Sequence, residues 1–429
     1  MKQVQAASYY RATATAYAPY PPLAGSSHVR VAVIGGGYAG LNTALGLAER
    51  GVRDVVLLER DQVGFGASGR NGGFVFAGYS LGEQALLEQL GAARAAALFQ
   101  LTRAAVQRIR QRIADYAIAC DVTDQGVIWA NWFRDPAVLR RRQQLLAEHY
   151  GVQWQWLEAD ELRQQVCTRR YHGGLYERDA LHLHPLNYAI GLAAAAVAQG
   201  VVIHEQSAAV RLRREGAQWR VDTPGGELLA DQVVLACGGY LAGLRKPVDR
   251  SVMPIATYVM ATEPLHGRLD DCLRTRAAIY DSRFAFDYYR ALPDTRLLWG
   301  GRISICDRSP RAVQRLLRAD MLRVFPQLQD VKIDYAWSGL MSYARHQMPQ
   351  IGGDGHGLWW AQAFGGHGLA PTCAAGELLA AAIADGDDHW TQFADYGLVS
   401  AHRPLGYLAA QATYWWQQGR DWLKTELEG

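Results

Sequence analysis

Three glycines spaced G-x-G-x-x-G, Gly35, Gly37 and Gly40, follow directly on the apolar run Val31-Ala-Val-Ile34. Glycines in this pattern serve phosphate chemistry. The first permits a tight turn, the second lets backbone approach a pyrophosphate, and the third lets a helix lie close on a strand. Tyr38 and Ala39 open the helix that follows, at its positive end, where unpaired N–H groups face phosphates. Glu59 stands 19 residues beyond Gly40, at the end of the run Val55-Val-Leu-Leu58. A carboxylate there accepts hydrogen bonds from ribose hydroxyls. A second candidate group is the loop Gly64-Phe-Gly-Ala67-Ser68-Gly69-Arg70-Asn71-Gly72-Gly73. With five glycines in ten residues it is no helix interior, and it can bring backbone N–H groups, the Ser68 hydroxyl, Arg70 and Asn71 close to a ligand. A third is the late junction Gly365-Gly366-His367-Gly368-Leu369, where a strand gives way to a helix whose N-terminus can stabilise a developing anion.

Periodicity shows the elements that must position these residues. The glycine turn lies between two buried strands and a helix carrying Leu41, Ala44, Leu45, Leu47 and Ala48 on one side, a unit spanning about 29–60. Residues 81–118 have helical spacing, 122–133 alternate as a strand, and 136–150 read as a basic helix with a solvated face. Pro185 opens a further helix that ends at Gly200. Short strands are expected at 201–203 and 208–210, then a hairpin over 219–229 turning at Pro224-Gly-Gly226. The buried run 232–236, ending at Ala236 and followed by Cys237-Gly238, is a return strand of the nucleotide sheet. Residues 251–262, 277–280, 284–290, 296–304 and 333–337 suggest an antiparallel sheet interrupted by a basic helix at about 309–324. The last strand, 358–364, meets the Gly365–Leu369 junction. The fold class is therefore α/β, α+β overall, with a Rossmann-like nucleotide domain and an interleaved antiparallel-sheet substrate domain. The nucleotide domain is expected from 1–80, 177–245 and 341–429, and the substrate lid from 81–176 and 246–340.

Composition narrows the function. At 49% hydrophobic and 20% charged, the chain can bury a large core. A net charge of +3 gives no argument for nucleic acid. The six cysteines form no C-x-x-C pair and match neither a zinc site nor a disulfide framework, so free thiols in a reducing compartment are expected. His182 and His184 lack a third ligand, and no metal is expected. Residues 1–22 show no signal-peptide pattern, and no 18-residue apolar run occurs, so a cytoplasmic location is expected. Residues 1–27 read as an aromatic arm packed on the core. The aromatic stretch 405–423 is expected to cover the protein's own core, with a peripheral membrane or electron-acceptor contact as the alternative. Composition leaves the oligomeric state open.

The motifs together resemble the D-amino-acid-oxidase-like superfamily of FAD-dependent amine and amino-acid oxidoreductases, over nearly the whole chain. The resemblance is closest to the branch holding γ-glutamylputrescine oxidoreductases and bacterial L-pipecolate oxidase type enzymes. It rests on Ser8-Tyr9-Tyr10, Gly35–Gly40, the 64–73 loop, His182-Leu-His-Pro-Leu-Asn187, Asp287-Tyr-Tyr-Arg290, Met348-Pro-Gln350 and Gly366-His-Gly368. It implies FAD bound in an extended form. Gly35, Gly37, Tyr38, Ala39 and Gly40 would hold the pyrophosphate, Glu59 the adenosine ribose with Arg60 beside it, and the Val210 backbone the adenine. Ala67 to Gly73 would run along the phosphates towards the isoalloxazine, with Ala236 and Gly238 at the end of the return strand. Gly366, His367, Gly368 and Leu369 would face the flavin pyrimidine edge, and strands 253–262 and 283–302 would form a lid. Some relatives attach flavin through a cysteine just before the late strand. Ser342, Tyr343 and Ala344 stand there in this chain, so FAD is expected to be non-covalent.

The implied reaction oxidises the C–N bond of a small-molecule amine or amino acid to an imine, with dioxygen reoxidising the flavin to give hydrogen peroxide. An α-amino acid needs a cation near the flavin, most often an arginine binding bidentately. Arg302 follows Trp299-Gly-Gly301 at the end of a lid strand and is the expected anchor; Arg345 and His346 are further candidates beside Met348-Pro-Gln350. Arg283 is also available, and Arg290 is read as structural. Tyr258, Phe284, Phe286 and Tyr289 would wall an apolar ring site. The expected substrate is thus a secondary or cyclic amino acid such as L-pipecolate. The alternatives are a polyamine-derived amine, a quinone-linked dehydrogenase, or an FAD-binding protein without turnover.

Overall fold

The computed structural model describes residues 8–428; residues 1–7 of the expected arm, and Gly429, lie outside them. The central strand Gly25–Ile34 is flanked in parallel by Val55–Leu58 on one side and Gly226–Leu235 on the other. Val202–His204 extends one edge and Leu358–Gln362 the other, again in parallel, and Gln350–Gly353 closes the sheet antiparallel. The hairpin Arg211–Glu215 and Gln218–Asp222 branches from Gly226–Leu235. Strand alternation divides the apolar run between two cores. Val31, Val33, Val55 and Leu57 join Leu41, Leu45, Ala375 and Leu379 on one side. Ala32, Ile34, Val56 and Leu58 join Trp219, Val221 and Leu228 on the other. Both faces are covered, which is why these strands read as continuous apolar runs.

The second sheet runs in the order Ile333–Tyr343, Met253–Thr262, Leu297–Ser304, Asp287–Ala291, Ala278–Asp281, Val127–Ala130, Gly174–Glu177 and Gln155–Leu157. It is antiparallel except where Ala278–Asp281 pairs in parallel with Val127–Ala130. One face rests on the helix Pro310–Val324, which Ser309 caps by accepting a hydrogen bond from the Ala312 N–H. The buried apolar residues of that helix, Val313, Leu317, Met321 and Val324, share a core with Ala256, Tyr258, Met260, Tyr289 and Trp299. The opposite face of the sheet looks towards the first sheet, across the site described below.

Several elements depart from expectation. Residues 208–210 form no strand. The long helix runs Glu83–Asp115 and breaks at Gly91, where φ is 75°. It begins in the expected lid segment yet lies on the nucleotide side. There its Arg112, fully buried, donates to Glu49, Asn42 and Glu377. The 405–423 stretch is part of the helix Leu405–Glu428, and it lies on the second sheet. Gln411 Oε1 accepts from the Ile305 N–H (3.1 Å), and Thr425 accepts from the Trp132 indole (3.0 Å). Its inner residues Gln411 and Tyr414 are buried, while Leu405, Leu408, Trp415, Trp416, Trp422 and Leu423 stay exposed. The stretch therefore covers the core with one face only. The N-terminal arm is docked: Tyr10 is buried edge-on against Trp337, and the Tyr17 hydroxyl donates to Glu205 at 2.6 Å. Among the described residues no helix is long and apolar enough to cross a membrane.

Candidate active site

Between the two sheets lies a cavity of about 1570 Å³, running from the glycine turn to the Gly366–Leu369 junction and on to the C-terminal helix. This exceeds the roughly 300–1,000 Å³ of an ordinary small-molecule site, leaving room for a dinucleotide and a substrate together.

The nucleotide end is built by close approach. Gly35 takes φ 116°, and a Cβ there would lie 2.7 Å from the Ala236 carbonyl oxygen. A Cβ on Gly40 would lie 2.0 Å from the Gly35 carbonyl oxygen, so only hydrogen lets the helix Tyr38–Glu49 seat on the turn. Glu59 accepts the Gly36 N–H at 2.7 Å and the Asp61 N–H at 2.8 Å. Burial pushes its carboxyl above the usual range. Arg60 pairs with Asp61 at 2.7 Å, and its guanidinium lies 5.8 Å from the Phe65 ring centre and 5.7 Å from that of Tyr240. Ser68 Oγ accepts the Tyr38 N–H (2.9 Å) at the helix start, the position a phosphate oxygen would take. Asn71 folds the loop on itself, donating to the Ala67 and Ser68 carbonyls and accepting from the Gly73 N–H. Arg70 donates to the Phe65 and Ser338 carbonyls, joining the loop to the second sheet.

The expected nucleotide residues Gly35, Gly37, Tyr38, Ala39, Glu59, Arg60, Ala67, Ser68, Arg70, Asn71, Gly72, Ala236 and Gly238 all line the cavity. Four expected contacts move to supporting roles, the first being Gly40, which seats the helix on the Gly35 carbonyl behind the turn. Gly69 and Gly73 do not line the cavity: a Cβ on Gly69 would meet the Gly64 carbonyl at 2.3 Å, and one on Gly73 the Leu183 carbonyl at 2.2 Å. Both are fixed by backbone behind the loop. Val210 is 62% exposed and its N–H is given to the Asp222 carbonyl; Ala208 and Ala209 line the cavity in its place.

At the far end Gly366, His367, Gly368 and Leu369 line the cavity beneath the N-terminus of the helix Leu369–Asp385. The Gly366 N–H donates to Ser80 Oγ at 3.0 Å. The His367 ring stands edge-on to Phe76 at 4.8 Å, and its Nδ1 is buried with no protein partner. Burial pushes the imidazole down to about 4, so it is neutral at ordinary pH. These features fit FAD: a glycine cradle that a Cβ would fill, a helix start for phosphate, an acid at the ribose position, and an orphaned imidazole nitrogen at the opposite end. One cysteine, Cys237, lines the cavity among the described residues. It sits at the nucleotide end with its Sγ on the Ile34 carbonyl, away from the junction where flavin would lie.

The substrate end departs most from expectation. Arg302 borders the cavity, but its Nε and Nη2 both donate to Asp320, at 2.8 and 2.6 Å. Its fork is already filled by a protein carboxylate. Tyr258 and Tyr289 lie on the other face of the sheet. Tyr258 donates to the Cys306 carbonyl, and Tyr289 is stacked on Trp299 at 4.4 Å with its hydroxyl on Tyr171. Their neighbours Thr257 and Tyr288 face the cavity instead. His346 turns away, bridging the Met348 N–H and the Gly397 carbonyl. Arg345 stands exposed at the cavity rim. Phe284 and Phe286 do line the cavity. Arg283 is buried between Asp281 and Asp287, at 2.6 Å from each. His182 and His184 serve the scaffold: His182 contacts the Arg276 carbonyl and Arg290, and His184 caps the helix Pro185–Ala198.

The residues that complete this end are Phe76, Glu83, Trp129, Arg142 and Tyr280. Trp129 and Tyr280 have ring centroids 3.7 Å apart, Phe76 is stacked on Tyr280 at 5.7 Å, and Arg142 lies over Trp129 at 3.4 Å. Arg142 belongs to the helix Ala137–Tyr150, whose sequence reads as a solvated basic face. The missed signal was its spacing: Arg142 falls on the same stripe as the buried Leu139, Leu146 and Tyr150.

Residues 30–382 match the DAO family model, described as FAD dependent oxidoreductase. The chain is 36% identical over 390 residues to gamma-glutamylputrescine oxidoreductase of Escherichia coli (strain K12), covering 90% of this chain and 91% of that protein. It is 35% identical over 399 residues to a probable oxidoreductase OrdL of Haemophilus influenzae, covering 90% of each. Among solved structures, glycine oxidase from Geobacillus kaustophilus superposes with a TM-score of 0.71 at 22% identity, over 87% of this chain and 98% of that one. L-proline dehydrogenase from P. horikoshii gives 0.72 at 17% identity, over 88% and 98%. Identities this low speak to the fold alone.

Proposed function

The chain belongs to the DAO family of FAD-dependent oxidoreductases acting on amines and amino acids, and within that activity we propose that it oxidises the terminal amine of an extended, polyamine-derived substrate such as γ-glutamylputrescine. The observation that carries this reading is the bidentate Arg302–Asp320 pair. A compact amino acid such as L-pipecolate needs a free cation for the carboxylate next to its reacting carbon; Arg302, placed for that task, has its fork filled by Asp320, and Arg142 stands beyond Phe76, Tyr280 and Trp129 from the Gly366–Leu369 turn, within reach only of the far end of an extended substrate. The wall offered instead, Phe76, Trp129, Tyr280, Phe286 and Tyr288, suits a chain of methylenes. The curated relative named for γ-glutamylputrescine supports the same ordering.

Bound FAD supplies the two-electron acceptor for removing a hydride from the carbon that bears the amine. The protein supplies orientation and electrostatics. The aromatic wall excludes water, which favours the neutral amine whose lone pair must assist. The start of the helix Leu369–Asp385 places positive dipole beneath the Gly366–Leu369 turn, where it would stabilise the negative charge of a reduced flavin held there. His367, held neutral, keeps an imidazole nitrogen available at the same turn without adding a cation. No side-chain base is required, and the imine product hydrolyses in water.

Dioxygen is the proposed acceptor, with hydrogen peroxide released. One observation favours a second reading. The C-terminal helix borders the cavity with one face and exposes Trp415, Trp416 and Trp422 on the other, as interfacial helices do. A membrane quinone could then take the electrons. The test is an anaerobic screen for loss of the visible flavin absorbance, followed by peroxide detection in air. γ-Glutamylputrescine should bleach the flavin far faster than L-pipecolate, L-proline or sarcosine. Faster bleaching by the cyclic amino acids would overturn the substrate reading. Bleaching without peroxide in air, with turnover restored by a soluble quinone, would select the second acceptor.

A further inference from the structure

Arg142 and Glu83 form an ion pair of 2.7 Å that lines the substrate end of the cavity. Glu83 opens the helix Glu83–Asp115, and its side chain is only 8% exposed. Arg142 reaches in from the helix Ala137–Tyr150 and is 19% exposed. Its guanidinium lies over Trp129 at 3.4 Å and near Trp154 at 5.2 Å, which fixes the plane of the fork. Nη2 donates to Glu83 Oε1, while the buried Nε has no partner among the described residues. The contacts of His367, Phe76, Tyr280 and Trp129 run in an unbroken line from the Gly366–Leu369 turn to Arg142. The glycine between the two ends is also shaped for this neighbourhood. A Cβ on Gly78 would lie 3.3 Å from Glu83 Oε1 and 3.9 Å from His367 Nδ1.

A charged pair kept inside an aromatic cavity is poor value for stability alone, because desolvation offsets much of its Coulomb energy. Side by side, the two groups match a zwitterion. We propose that Arg142 and Glu83 form a subsite for the amino-acid end of the substrate, Arg142 binding its α-carboxylate and Glu83 its α-ammonium. The inference deepens the substrate reading above and rests on it: a γ-glutamyl amide carries that zwitterion at the end opposite the oxidisable amine. The subsite would therefore set specificity for γ-glutamylated amines over the free diamine. Arg142 offers a carboxylate the Nη N–H groups that Glu83 leaves free, in a plane already set by Trp129. Glu83 has its second oxygen to offer an ammonium while the first stays on Arg142.

Binding without turnover tests the subsite directly. γ-Glutamylbutylamide has the amino-acid end but no terminal amine to oxidise, and its dissociation constant can be read from the change in flavin absorbance of the holoenzyme. In the wild-type protein, replacing its α-carboxylate by a carboxamide should weaken binding at least tenfold. Arg142→Gln should weaken the carboxylate ligand to the same extent and abolish the difference between the two ligands, with Arg142→Lys restoring part of it. Acetylating the α-amine of γ-glutamylbutylamide should also weaken binding to the wild-type protein, and Glu83→Gln should shrink that difference. Equal affinity of the wild-type protein for carboxylate and carboxamide would overturn the subsite without any variant having to fold. So would Arg142→Gln that weakens both ligands alike with an unchanged flavin content. The two levels of inference separate cleanly. Tight, carboxylate-dependent binding of γ-glutamylbutylamide with no oxidation of γ-glutamylputrescine would leave the subsite standing and remove the substrate. Oxidation of γ-glutamylputrescine with no carboxylate dependence would do the reverse.

Discussion

Arg302 and Asp320 meet fork to fork, Nε to Oδ2 at 2.8 Å and Nη2 to Oδ1 at 2.6 Å, and a β-bulge makes the meeting possible. Across the strand pair, Thr257 faces Ile303 but Tyr258 faces Gly301, which leaves Arg302 as the extra residue. It takes φ 59°, and its side chain reaches Asp320 on the helix Pro310–Val324. The pair joins the second sheet to its helix. Asp320→Asn should cost about 3–5 kcal/mol of stability by leaving a largely buried guanidinium uncompensated. Thermal melts of the holoenzyme would show it. Arg302→Ala should likewise lower the melting temperature while changing substrate KM by less than about twofold. A steep rise in KM at unchanged stability would restore Arg302 as a substrate anchor.

Tyr288 and Tyr289 are adjacent and belong to different parts of the protein. Tyr289→Ala opens a hole beside Trp299 and Phe325 and should cost roughly 3–5 kcal/mol with little effect on KM. Tyr288 lines the cavity and its ring fills the space over Gly300. Tyr288→Ala should act mainly on KM and kcat. Urea melts and steady-state kinetics on both variants would expose an exchange of these roles.

Gly40→Ala should give a protein that purifies without its yellow colour. The added methyl would have to share space with the Gly35 carbonyl, 2.0 Å away, so the helix start must move off the turn. Gly37→Ala meets only the Ser68 hydroxyl, at 2.9 Å, and should weaken FAD less. The ratio of flavin to protein absorbance after gel filtration ranks the two, and the order should be wild type, Gly37→Ala, Gly40→Ala.

Glu177 is buried with one long hydrogen bond from the Trp129 indole, 3.5 Å, and burial pushes its carboxyl up to about 8 from 4.5. The unfolded chain releases that proton near 4.5, so between 4.5 and 8 the native state holds the extra proton and stability falls as pH rises. His182, His184 and His367 act in the opposite sense. Burial pushes them down to about 3, 4 and 4 from 6.5, so the unfolded chain takes up their protons first and stability falls as pH drops below 6.5. Glu177→Gln keeps the acceptor for Trp129 and removes only the first trend. Its melting temperature should exceed that of the wild type by a margin that widens from about pH 5 to about pH 8. A margin that is flat across this range would show that Glu177 is ionised in the native state.

The nucleotide half was legible because its signals are local. Val31–Ile34, the three glycines and Glu59 lie within one short βαβ unit whose geometry leaves little freedom. The substrate half depends on facts that are not local. Alternation says that Tyr288 and Tyr289 point to opposite faces, but not which face is the cavity. The bulge at Arg302 reverses the direction that alternation would assign, and its partner Asp320 lies 18 residues further on another element. Arg142 looked like one more cation on a basic helix, although its place on the apolar stripe was readable. Val210 was one residue too far along, because the segment beside it runs irregularly where a strand was expected.

The nucleotide sheet takes its strands from both ends of the chain, and this sets a timetable for biosynthesis. The glycine turn is made early, but 329 residues separate Gly40 from Leu369, which closes the opposite end of the site. At about 5–20 residues per second, that gap lasts roughly 15–65 s. For more than half of it the strand Gly25–Ile34 waits for Gly226–Leu235, and throughout it the cavity lacks its Gly366–Leu369 wall. Only a chain finished to that point has both ends of the site, so cofactor scarcity should be felt as lost yield of finished protein as well as lost turnover.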